Sequence, residues 1–214
     1  MMHPVLNRVL FAVSLAVIAF CVSGLIVGWV GGNDLWVRGR AYYPAIVPTT
    51  QVSFFGLAVA LLLATSDRDS LRLLAGRVCA AVIFIVALNI CVRLTASDAG
   101  IDGMLPIALA PDDHMSYLTG GLIILACGLI GRTARGWPRR SFVDLSGALF
   151  GLTTVGSVTM AHSFDLRSSV SLAVADGLSV FTSIVLGIIF FAILMLQAIE
   201  PASDTDIFDD LSMS

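Results

Sequence analysis

Lysine is absent from the 214-residue chain, and charge of any kind is scarce: 13% of the residues are charged, and all twelve cations are arginine. The missing lysine excludes a retinal or pyridoxal Schiff base, a Walker-A phosphate lysine and a kinase-type lysine. A net charge of −3 and a pI near 5.4 leave no electrostatic footprint for nucleic acid. Cysteine is sparse. Cys21, Cys79, Cys91 and Cys127 show no CxxC spacing, so they read as small buried hydrophobes rather than disulfides or a zinc site. The sequence holds no Ser-His-Asp constellation, nucleotide loop or metalloprotease motif. Catalytic residues are therefore not expected, and neither is a cofactor.

Apolar residues make up 57% of the chain, and the mean hydropathy is +0.95. Soluble domains are about half apolar and about a quarter charged, so this is the composition of an integral membrane protein. The charges fall in clusters. Between them lie six stretches that approach the roughly 20 apolar residues a crossing needs: about 9–30, 48–65, 71–94, 115–131, 142–161 and 177–198. The first is too long for a signal-peptide core and ends in Gly31-Gly32 rather than a cleavage site. Arg8, Arg68, Arg72, Arg77, Arg132, Arg135, Arg139 and Arg140 fall on one side, against Arg38, Arg40, Arg93 and Arg167 on the other. The positive-inside rule then predicts both termini in the cytoplasm. The fold class predicted is an all-α polytopic bundle of six transmembrane helices over residues 1–198, followed by an acidic tail over 199–214.

The helix starts recur at roughly 65-residue intervals, the scale of one helical hairpin, which predicts three hairpin repeats. Pro48-Thr49-Thr50, His114-Met115-Ser116 and Asp176-Gly177-Leu178-Ser179 each suit a helix N-terminus. Gly24, Gly28 and Gly32 on the first helix, and Gly147 and Gly151 on the fifth, are spaced by four. Small residues at that interval let helices approach closely, so these two helices are expected to pack inside the bundle.

The stretch TASDAGIDGMLPIALAPDDHMSYLTGGLIILACGLIG, residues 95–131, resembles the repeated-hairpin membrane sensor region at the N-terminus of some bacterial histidine kinases and diguanylate cyclases. Gly100-Ile101-Asp102 fits that family's exit from a first helix. Met115, Thr119 and the run from Leu122 to Gly128 fit the start of its second helix. The segments near residues 50 and 180 resemble the same second-helix pattern more weakly. The resemblance implies a non-enzymatic sensor-like module that relays a signal to a protein partner. Such regions feed a kinase or cyclase domain, whereas this sequence ends shortly after its last helix. The partner is therefore expected to be a separately encoded signalling protein or another membrane protein.

Candidate sensing residues are Asp102, Asp113, His114, Met115, Tyr117 and His162, which the topology brings to one outer level. His114 and His162 could ligate a haem axially, and with Met115 and Met160 they form a soft set suited to Cu(I). Interfacial polarity and packing are the more ordinary readings of these residues, so neither haem nor copper is the leading expectation. The adjacent acids Asp112-Asp113 read as dipole partners at a helix start. Asp144 lies near the inner end of the fifth helix, at a level where Arg77 could pair with it. In the tail, Asp206, Phe208, Asp209 and Asp210 form an acidic-apolar cluster expected to be disordered or to dock onto a partner. A structural accessory subunit of a larger redox or photosynthetic membrane complex is the alternative expectation.

Overall fold

The computed structural model describes residues 4–39, 43–66, 68–135, 142–164 and 178–198. Among them are seven α-helices and no strand. Helix α1 (Pro4–Ser23) runs on without a break as a π-helical turn and a half, Gly24–Val30. A five-residue helix, α2 (Asp34–Arg38), follows. The remaining helices are α3 (Pro48–Ala64), α4 (Asp69–Thr95), α5 (Tyr117–Ala134), α6 (Phe142–Phe164) and α7 (Val180–Ala198). A 3-10 turn, Gly100–Met104, interrupts the connection between α4 and α5.

Among the described residues, five spans are long and apolar enough to cross a membrane: α1 with its π-helical extension, α4, α5, α6 and α7. Helix α3 is apolar but has 17 residues, about 26 Å at 1.5 Å per residue, just short of the about 30 Å hydrocarbon core. Large apolar side chains stand on the surface, among them Phe84, Leu94, Phe142 and Phe150, each more than half exposed. A water-soluble monomer does not tolerate apolar surface on this scale, whereas lipid solvates it.

The helices sort into an inner and an outer set. Twelve of the 17 residues of α3 are buried, and α3 packs against α1, α4, α5 and α7. The best apolar windows of α5 and α7 are each 56% buried, against 28% for α1, 22% for α4 and 28% for α6. The expectation that glycine spacing marks the first and fifth helices as internal is therefore corrected, because α1 and α6 lie at the periphery. Closely spaced glycines fit one neighbour on one face and say nothing about the other faces. Gly151 abuts the ring of Phe190 on α7, Gly147 abuts Leu129 on α5, and Gly24 and Gly28 abut Gln51 and Val37. Gly32 has open space around it and a φ of +66°, so it is a turn residue after the helix rather than a packing position.

Side-chain bonds bring the helix ends together at two poles. At one pole Trp29 Nε1 donates to the Ile46 carbonyl and the rings of Phe20 and Phe181 meet, joining the end of α1 to the starts of α3 and α7. At the other, Arg132 Nε donates to Asp144 Oδ1 at 2.6 Å and Gln197 Nε2 to Thr133 Oγ1 at 3.3 Å, joining α5 to the start of α6 and the end of α7. Asp144 thus pairs with Arg132, not with the expected Arg77. The connection from α5 to α6 is short, so Arg132 at the end of one helix meets Asp144 on the first turn of the next.

Candidate functional site

The connection between α4 and α5 carries the polar chemistry of the first pole. It leaves α4 through Gly100, whose φ of +69° is open to glycine at little cost. That turn aims the Ile101 amide at Asn89 Oδ1 on α4, 2.7 Å away. The Asn89 oxygen also occupies the space a β-carbon on Gly100 would need. One residue later, Asp102 is fully buried and accepts hydrogen bonds from the Thr49 amide (2.9 Å) and the Thr49 hydroxyl, at the start of α3. The Gly100-Ile101-Asp102 triplet therefore has a physical function in this fold. It turns the chain, satisfies the buried Asn89, and seats a carboxylate over the first turn of the central helix.

Asp113 is also fully buried and is tied to a different element. Arg38, at the end of α2, grips both of its carboxylate oxygens, with Nη1 donating to Oδ1 at 2.6 Å and Nη2 donating to Oδ2. Backbone amides of Ala45 (2.9 Å to Oδ1) and Ala110 (2.7 Å to Oδ2) complete the shell. Two-pronged arginine–carboxylate pairing fixes orientation as well as charge. Asp112, its neighbour, points out to solvent. The two acids therefore differ in role, and Asp113 is an anchor between loops rather than a dipole partner of α5.

The electrostatics follow from burial. Burial pushes the Asp102 carboxyl up to about 6, with the two Thr49 hydrogen bonds pulling the other way. The Asp113 carboxylate raises the affinity of Arg38 for its proton above the ordinary arginine value, chiefly through their hydrogen bonds. Farther along, Arg93 Nη1 donates to the Met115 carbonyl at 2.7 Å while its guanidinium lies 4.4 Å from the centre of the Tyr117 ring, within cation–π range. Ser116 caps α5, accepting from the Thr119 amide at 3.0 Å and sharing a 2.8 Å bond with its hydroxyl. Ser179 caps α7 through Thr182 with the same two distances.

Of the six candidate sensing residues, Asp102, Asp113, His114 and Met115 are buried in this connection, and Tyr117 stands half exposed beside it. His162 lies in the last turn of α6, but its side chain is outside the described residues. In the soft-metal set, Met115 is buried whereas Met160 is exposed on α6. No group of three or more His, Cys, Asp or Glu residues that could hold a metal ion occurs among the described residues. The tail residues Asp206, Phe208, Asp209 and Asp210 also lie outside the described residues.

Three partners carry no functional role in the sequence reading, where Arg38 and Arg93 count only toward topology and Thr49 only as a helix start. A signal was present for one of them. A buried carboxylate is stabilised by a cation or by several hydrogen-bond donors, and Arg38 is one of the four arginines that charge counting assigns to the less basic side. The π-helical turn at Gly24–Val30, which widens α1 opposite the buried Gln51, had no signal in hydropathy.

No protein-family model matches the chain, and no curated protein or solved structure matches it either.

Proposed function

We propose that the chain is a non-enzymatic, sensor-like membrane module in which the connection from α4 to α5 receives the signal. The single observation that carries this reading is the double anchoring of that connection. One buried carboxylate, Asp102, is seated on the start of α3, and the other, Asp113, on α2 and Ala45. A ligand or lipid that displaces the connection must move the end of the central helix with it. Helices move as nearly rigid rods, so a shift at one end reaches the other pole. There a separately encoded protein would read it.

In this reading α3 is a sixth crossing. The six helices form three hairpins, each with an outer first helix and an inner second helix. The matched Ser-x-x-Thr caps of α5 and α7, and the burial of α3, α5 and α7, support that arrangement. The arginine imbalance supports both termini in the cytoplasm, and the resemblance to bacterial sensor regions supports a bacterial inner membrane.

The test is a distance measurement across the molecule. Spin labels at positions 68 and 135, in a Cys91→Ser background, report the separation of the second-pole ends of α3–α4 and α5. Replacing Asp113 by Asn at the first pole is expected to shift or broaden that distance in the folded protein. An unchanged distribution would refute the relay.

A further inference from the structure

The second pole holds a cavity that the relay does not use. It lies between the first turns of α4 and the end of α5 and has a volume of about 600 Å³, within the usual range of small-molecule pockets. Helical geometry builds its α4 wall from two adjacent stripes. Asp69, Leu73 and Arg77 lie four residues apart on one, and Arg72, Gly76 and Ala80 on the next. Arg135, at the end of α5, faces them.

The charge balance within it favours an anion. Arg72 sits 3.8 Å from Asp69, whose side chain is fully exposed, so solvent screens that pair. Arg77 and Arg135 are exposed and make no ion pair among the described residues. Arg132, the next cation along α5, is already engaged by Asp144. The N-terminal end of α4 and the C-terminal end of α5 contribute opposite dipoles. The two largely cancel, and the arginines decide the sign. Gly76 and Ala80 keep the floor open, and a β-carbon on Gly76 would meet nothing within 4 Å. Leu73, 61% exposed, gives one rim an apolar edge.

We propose that this cavity binds a phosphate oxyanion, held by Arg72, Arg77 and Arg135, with the phosphodiester headgroup of an anionic phospholipid as its source. Guanidinium groups pair with phosphate oxygens through two parallel N–H donors. Basic pockets between transmembrane helices at the arginine-rich face are suited to such headgroups. The apolar rim at Leu73 lies where an acyl chain would leave the headgroup for the bilayer. The proposal does not depend on the relay.

The experiment counts lipid retained by the purified full chain. Nanodiscs of phosphatidylcholine with a minor share of phosphatidylglycerol are opened with mild detergent, and bound lipid is read by native mass spectrometry. Each arginine near the membrane surface contributes a factor of about five. Arg77→Gln/Arg135→Gln is therefore expected to reduce phosphatidylglycerol retention about 25-fold, with Arg8→Gln unchanged as the charge control. Gly76→Leu keeps every arginine and fills the cavity, and is expected to abolish retention as well. In a parallel arm inorganic phosphate is titrated against thermal unfolding. Protection that the double variant and Gly76→Leu both lose, without selective lipid retention, assigns the same oxyanion site to a soluble phosphate. Equal retention and equal phosphate response in wild type and double variant would overturn the proposal. So would equal losses in the double variant and Arg8→Gln, or wild-type behaviour of Gly76→Leu in both arms.

Discussion

Asp102 and Asp113 are buried to the same extent but solve the problem of a buried carboxylate differently. Asp113 is paired with a guanidinium, whereas Asp102 accepts hydrogen bonds from Thr49 and makes no ion pair among the described residues. That difference gives Asp102 a pH signature. Its folded pKa of about 6 lies above its ordinary value of 3.8, so the folded state binds the proton more tightly. The resulting stability is complete below about pH 4 and is lost as pH rises through about 6. Asp102→Asn should remove this dependence and raise the thermal midpoint at pH 7 more than at pH 4, as read by unfolding scans in detergent. Arg38→Gln acts oppositely, because it strands the Asp113 carboxylate. A loss of about 3–5 kcal/mol is expected. Adding Asp113→Asn should recover part of it, so that the double-mutant cycle shows positive coupling.

Individual elements explain which signals the sequence carried. The starts of α5 and α7 were legible because a serine cap and a threonine three residues on are local chemistry. Ser116→Ala and Ser179→Ala should each cost about 1 kcal/mol in chemical unfolding, and by similar amounts, since their hydrogen-bond distances coincide. The apolar extent of α1, α4, α6 and α7 was legible for a similar reason. Residues in lipid must be apolar whatever the neighbouring helix does. Helix α3 was legible as an apolar run but not as the most enclosed helix. Its Thr49, Thr50, Gln51 and Ser53 are buried among neighbours, and polarity alone would have placed them at a surface. Gly24–Val30 read as ordinary helix, because a π turn changes hydrogen-bond register without changing hydropathy.

At the scale of the molecule, the two poles have different electrostatic characters. One carries the buried carboxylates Asp102 and Asp113 with their donors, beside Arg93; the other carries the pair of Arg132 with the buried Asp144, together with Arg77 and Arg135 open to the cavity beside α4. Reporter fusions after Arg68 and after Arg135 should both give cytoplasmic activity, and a fusion after Asp98 should not. A periplasmic signal at position 135 would refute the proposed orientation.

Local sequence was enough to show that this chain is helical and apolar, where its long apolar helices lie, and that the segment between α4 and α5 is its chemically distinctive loop. Those properties depend on hydropathy, caps and glycine, which act within a few residues of one another. Tertiary structure alone decided that Arg38 grips Asp113 across 75 positions, that Thr49 holds Asp102 across 53, and that Arg132 rather than Arg77 takes Asp144. Partner choice among charges is settled by which helix ends share a pole, and no local pattern encodes that.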